Sequence, residues 1–143
     1  MRYFTKIAAL AAIALTVTAC GGVTPNDSYD SAEDLRDALD SEGFRCTGGE
    51  ASSLDNGFAE ELTCDEGLAI AVWEEDYPDY ADGPELFTFG LAMLGDGHVL
   101  ETDTWIIHSS NAGLIGEIAP VFGGTYYGTD EDLQCEYHPN SDC

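Results

Sequence analysis

The 143-residue sequence predicts an α+β domain, an antiparallel sheet of about four strands with two or three helices packed on one face. Three patterns support this class. A capped amphipathic helix begins at Ser31 and stops at Gly43. Two pairs of apolar runs, 62–64 with 68–73 and 98–100 with 105–107, are each joined by a short polar turn, as antiparallel hairpins require. A last helical stripe, Leu114, Ile115, Ile118 and Phe122, closes at Gly123-Gly124.

Residues 1–19 read as an export signal. Arg2 and Lys6 stand before an uncharged apolar run over 7–18, and small Ala19 precedes Cys20, the order of basic head, apolar centre and cleavage point. A membrane-spanning helix needs about 20 apolar residues, and this run is shorter. The tetrapeptide Val17-Thr18-Ala19-Cys20 resembles the lipobox of bacterial lipoproteins, with Val17 where that family favours leucine. The resemblance implies that the Cys20 thiol receives a diacylglyceryl group and that cleavage falls just before it. Cys20 then becomes the acylated amino terminus. Two or more acyl chains hold a protein stably at a bilayer, whereas one holds it marginally. The expected location is extracytoplasmic, lipid-anchored to the outer face of the cell membrane, and the resemblance names no activity.

Removal of 1–19 leaves 124 residues, one domain and a tether. Two basic residues, Arg36 and Arg45, then face 28 acidic ones, for a formal charge of −26. That charge repels phosphate, so nucleic acid is excluded as a partner. It also opposes the compact state by self-repulsion, and salt that shortens the screening length should stabilise the domain, as in a salt-tolerant organism. The seven Tyr, six Phe and two Trp argue against disorder. With Cys20 lipidated, Cys46, Cys64, Cys135 and Cys143 remain, an even number that suggests two disulfides with three possible connectivities. The local pairings Cys46–Cys64 and Cys135–Cys143 are favoured, the first worth roughly 3 kcal/mol by chain entropy.

Each element follows in order. Residues 20–29 lack periodicity and read as a short lipidated tether that would keep the domain, 30–124, near the membrane. Ser31 with Asp34 three residues on opens the first helix, and Gly43 closes it with Phe44 folding back. Asp65-Glu66-Gly67 is the turn of the first hairpin. Its second run, 68–73, is apolar on both faces and reads as a central strand, with Ala69 and Ala71 leaving one face low for a close-packed helix. After an acidic, turn-rich stretch over 74–83, Pro84 suits the first position of a helix over 86–94. Phe87, Phe89, Leu91 and Met93 alternate there, however, so a strand stays open. Ser110 or Asn111 caps the final helix, in which Pro120 predicts a kink or an early end. Residues 125–143 read as an acidic tail, stapled by its own disulfide. This arrangement, with Gly43-Phe44-Arg45-Cys46, a Trp-led strand and a closing Gly-Gly, is similar to small exported lipoproteins of high-GC Gram-positive bacteria, a likeness that carries no activity.

Chemistry is sparse. Asp76, Asp79, Asp82 and Glu85 recur at intervals of three and are calcium candidates, although a calcium loop spaces its ligands by two. Trp73, Tyr77, Tyr80 and Phe87 bracket that loop and offer rings for a cation or sugar. Cys135-x-x-His138 with Cys143 supplies three of the four ligands of a structural zinc site. His108 precedes Ser109 without a nucleophile elbow. No cofactor is implied. The sequence therefore favours a non-enzymatic, lipid-anchored domain that binds an envelope partner or ligand. The alternatives are a small carboxylate-dependent hydrolase of the envelope and a calcium-binding lipoprotein.

Overall fold

A computed structural model describes residues 22–53, 60–73 and 97–138. Helix α1 spans Ala32–Ser41. Ser31 Oγ accepts the Asp34 N–H at 3.1 Å, and the Ala32 N–H donates to Glu60 Oε2 at 2.9 Å, so two of the four orphan donors find carboxyl or hydroxyl partners. Gly43 then takes φ +89°. Its N–H reaches Asp40 O at 3.1 Å, and the Phe44 N–H reaches Leu39 O at 2.9 Å, the paired bonds of a Schellman turn. Both ends lie where the sequence puts them.

Strands β1 (Glu60–Thr63) and β2 (Leu68–Val72) pair antiparallel across the turn, where Gly67 has φ +82°. Strands β3 (His98–Glu101) and β4 (Trp105–Ser109) form the second hairpin, and β2 also pairs with β4. Helix α2 (Ala112–Phe122) leads to β5 (Thr125–Tyr127), which pairs with β3. The antiparallel order is β1-β2-β4-β3-β5. Because β3 lies between β4 and β5, the β4–α2–β5 connection is a split β–α–β crossover. Helix α3 (Glu131–Tyr137) follows, capped by Asp130 Oδ1 on the Leu133 N–H at 3.1 Å. Among the described residues the sheet thus has five strands. The fifth comes from the stretch read as the start of the tail, and its Tyr126 is wholly buried in the main core.

Strand alternation sends Leu62, Ile70, Ile107, Leu100 and Tyr126 to one face, where they meet Leu35 and Leu39 of α1 and Ile115, Ile118 and Phe122 of α2. The helix α1 contacts β1 and β2, and α2 contacts β3 and β4. Ala71, Trp73, Val99 and Ile106, with Tyr127 beside them, form a smaller cluster on the second face. The described helices α1 and α2 therefore pack on the sheet face that carries the bulky residues of β2, not on the face of Ala71. Pro120 removes one helical bond, yet α2 runs two residues past it and ends with the Gly123 N–H on Ala119 O at 2.9 Å. A proline in the last turn forfeits a single ladder bond. The helix or strand expected over 86–94 lies outside the described residues.

Cys46 and Cys64 are joined, both buried, at a sequence separation of 18. The disulfide ties the exit of α1 to the end of β1. Alongside it the Thr47 N–H and hydroxyl donate to the Glu66 carboxylate at 2.8 and 2.5 Å, and the Asp65 N–H donates to Thr47 O at 2.7 Å. The Thr47 hydroxyl, then its N–H, holds the Glu66 carboxyl below the usual range. Cys46→Ala with Cys64→Ala should cost about 3 kcal/mol in urea unfolding. A loss within experimental error would mean that the Thr47–Glu66 bonds alone hold this junction.

Candidate functional site

The one residue to which the sequence assigns a covalent function, Cys20, lies outside the described residues. So do the calcium candidates Asp76, Asp79, Asp82 and Glu85, the rings of Tyr77, Tyr80 and Phe87, and Cys143. Cys46 and Cys64 are brought together, and Cys135 is disulfide-bonded as well, which withdraws its thiolate from a zinc site. Among the described residues, no group of three or more His, Cys, Asp or Glu stands close enough to hold a metal.

What the structure adds is the segment that leads from Cys20 into the domain. Residues 23–29, read from the sequence as part of a tether, lie along the helix side of the fold. The Val23 N–H donates to Glu42 Oε1 at 3.3 Å, beside the end of α1. A tight turn follows, in which the Thr24 N–H donates to Asp27 Oδ2 at 3.0 Å and the Asp27 N–H to Thr24 O at 3.1 Å. Asn26 sits at φ +63°, a conformation that asparagine tolerates better than most residues. That bend aims its N–H at Phe122 O, 2.7 Å away, one of the free carbonyls at the end of α2. Asn26 Oδ1 accepts the Gly124 N–H at 2.8 Å. A side chain at Gly123 would meet Asn26 Oδ1 at 2.7 Å, and Gly123 itself has φ +77°. Glycine is needed there because the strap lies against it.

The strap is also bound from inside. The Trp105 indole N–H donates to Asp27 O at 2.8 Å, and the indole stands edge-on to Phe122 with centroids 6.5 Å apart. Val23 and Tyr29 pack against the main core. Burial, then Asp27 and Glu42, pushes the Tyr29 phenol up to about 12. Among the described residues its buried hydroxyl has no hydrogen-bond partner, while its ring packs against Phe122 with centroids 6.5 Å apart. This docked segment escapes a reading based on periodicity because its bonds run mostly through backbone atoms.

A second polar cluster lies under the start of α3. Adjacent residues of a strand face opposite ways, so His108 and Ser109 diverge, and the register sets His98 opposite Ser109. His98 Nδ1 and Tyr126 Oη are 2.5 Å apart, and the Asp130 N–H donates to the same hydroxyl at 3.2 Å. Tyr126 Oη thus joins His98 of β3 to the backbone at the cap of α3. Gly128 closes against this pair, and a Cβ there would lie 3.0 Å from His98 Nδ1. Ser109 Oγ accepts the Asn111 N–H at 3.1 Å, just before α2. His98, Ser109 and Tyr126 are buried and engaged in joining strands to helix starts. They compose a structural junction.

No protein-family model matches the chain, and comparison with curated proteins and with solved structures gives no significant match.

His108 points to the second sheet face, half-buried. Burial, with a smaller repulsion from His98, holds its imidazole below the usual range. The unfolded chain therefore binds this proton more readily than the folded one, so this contribution is whole above about pH 6.5 and lost as pH falls below it. Urea midpoints at pH 7.5 and 5.0 should fall further for the native chain than for His108→Gln. Equal falls would contradict the assignment.

Proposed function

We propose that the chain is an exported lipoprotein, held at the outer face of the cell membrane by acyl chains on Cys20. In this reading its mature domain binds an envelope protein or a small ligand and catalyses no reaction. The observation that carries it is the buried Cys46–Cys64 disulfide. Such bonds persist in oxidising compartments outside the cytoplasm, which agrees with an export signal ending at Ala19-Cys20. Among the described residues, no helix is long and apolar enough to cross a membrane, so attachment in this reading depends on the lipid.

Binding is preferred over catalysis because, among the described residues, the serine that faces a histidine across the sheet is bonded to a different partner. Ser109 Oγ accepts the Asn111 N–H, and His98 Nδ1 is paired with Tyr126 Oη. A nucleophile and its base need a hydrogen bond between them. The calcium reading rests on Asp76, Asp79, Asp82 and Glu85, outside the described residues, and the hydrolase reading singles out no pair of carboxylates.

In the native host, the protein should sediment with membranes and partition into detergent, and its amino-terminal peptide should carry the acyl mass on Cys20. Cys20→Ala should move it to the soluble or secreted fraction. A mature protein with an unmodified Cys20 thiol would sink the proposal.

A further inference from the structure

The docked strap changes what an anchor at Cys20 does. A free, Gly-rich linker behaves as a coil whose end-to-end span grows as the square root of its length, and it lets the attached domain turn in any direction. Here the first fixed residue, Val23, stands only three positions after Cys20. Three extended residues reach at most about 11 Å. The strap is held at three places beyond that point, by Glu42 at the end of α1, by Phe122 O and Gly124 at the end of α2, and by the Trp105 indole within the core. Two of its side chains, Val23 and Tyr29, pack on the helix side of the sheet. A lipid on Cys20 therefore enters the domain at one place, beside the end of α1.

We propose that the strap orients the anchored domain, turning the helix layer at the Glu42 end of α1 toward the bilayer and the second sheet face away from it. The inference rests on the reading of Cys20 as the lipidated residue. It assigns the residues on the second face of the sheet, Ala71, Val99, Ile106 and His108, to the side that faces outward. Trp73 lies on that side, and residues 74–96, which follow it in sequence, carry seven of the acidic residues. Orientation also has an electrostatic side. Glu42 and Asp27 stand at the strap, and a connection of at most about 11 Å holds this end at a distance comparable with the screening length, roughly 8 Å at physiological salt. Neutral headgroups are therefore the surface that this end fits, since anionic ones repel it.

The test couples the mature chain, 20–143, with its disulfides formed, through Cys20 to a maleimide lipid in phosphatidylcholine nanodiscs that contain a gadolinium-chelating lipid. Amide relaxation is read residue by residue. The proposal expects broadening several-fold stronger at 22–24 and 41–43 than at Val99, Ile106 and His108. A flexible insertion of about ten Gly and Ser residues between Gly21 and Gly22 should abolish that contrast while the fold stays intact, because the linker decouples strap from lipid. Equal broadening of both faces in the native chain would overturn the proposal, and so would a contrast that survives the insertion. The coupling is chemical, so neither result depends on acylation in the cell. Unmodified Cys20 in protein from the host would instead remove the anchoring reading and leave the orientation result standing as a property of the chain.

Discussion

A buried indole must place its N–H, and in this fold Trp105 places it on the strap. The side chain is wholly buried at the meeting point of β4, α2 and residues 23–29. Trp offers a large apolar surface with one donor, and a buried donor left unpaired costs about 1–3 kcal/mol. Asp27 O answers it at 2.8 Å. The carbonyl is in place because Asn26 bends the chain at φ +63° and clasps the end of α2. Each ordered backbone residue costs roughly 1–2 kcal/mol of conformational entropy, so the strap must be offset by these bonds together with the burial of Val23 and Tyr29. Residues 23–29 are thus part of the domain that they introduce.

Charge works against everything else in the molecule. The formal charge of the chain is −24, and among the described residues the one ion pair is Arg36 with its neighbour Asp37, at 3.3 Å on the surface. An exposed pair of that kind is worth little, with a median of about 0–1 kcal/mol. Cohesion comes instead from apolar burial on the helix side of the sheet, from the Cys46–Cys64 cross-link, and from acids used locally as acceptors. Glu60 caps Ala32, Glu66 binds Thr47 twice, Asp40 accepts the Cys46 N–H at 3.1 Å and Asp130 caps α3. Several acids that repel one another at long range thus satisfy orphan N–H groups at short range. That is one way so acidic a chain holds a compact fold.

Legibility in the sequence followed the range of the interaction. Helix α1 was readable at both ends, since Ser31, Gly43 and Phe44 act within one turn of the groups they satisfy. The two hairpins were readable from their turns, and the Cys46–Cys64 pair from its short loop. β5 escaped notice because three residues are too few for alternation to register, although Thr125-Tyr126-Tyr127 has the β-branched and aromatic character of a strand. The strap escaped because its partners, Glu42, Phe122, Gly124 and Trp105, are far away in sequence and most of its own groups belong to the backbone. Its one trace was Asn26, a residue suited to left-handed backbone, together with the doubled glycine that it approaches. The pairing of His98 with Ser109 needed the register, which no local pattern supplies. Of the candidate site, the disulfide pair came out as expected, while Cys20 and the acidic run over 76–85 lie outside the described residues.

The account therefore turns on whether residues 23–29 fold with the domain. Hydrogen exchange by NMR at the Asn26 amide and the Trp105 indole measures this directly, since exchange of a bonded hydrogen requires the bond to open. The account predicts that both are protected to a degree comparable with the amides of β2 and β4, and that Asn26→Ala weakens both together. Exchange of the Asn26 amide at the rate of an unstructured peptide, with the sheet still protected, would contradict it and return the segment to the status of a free tether.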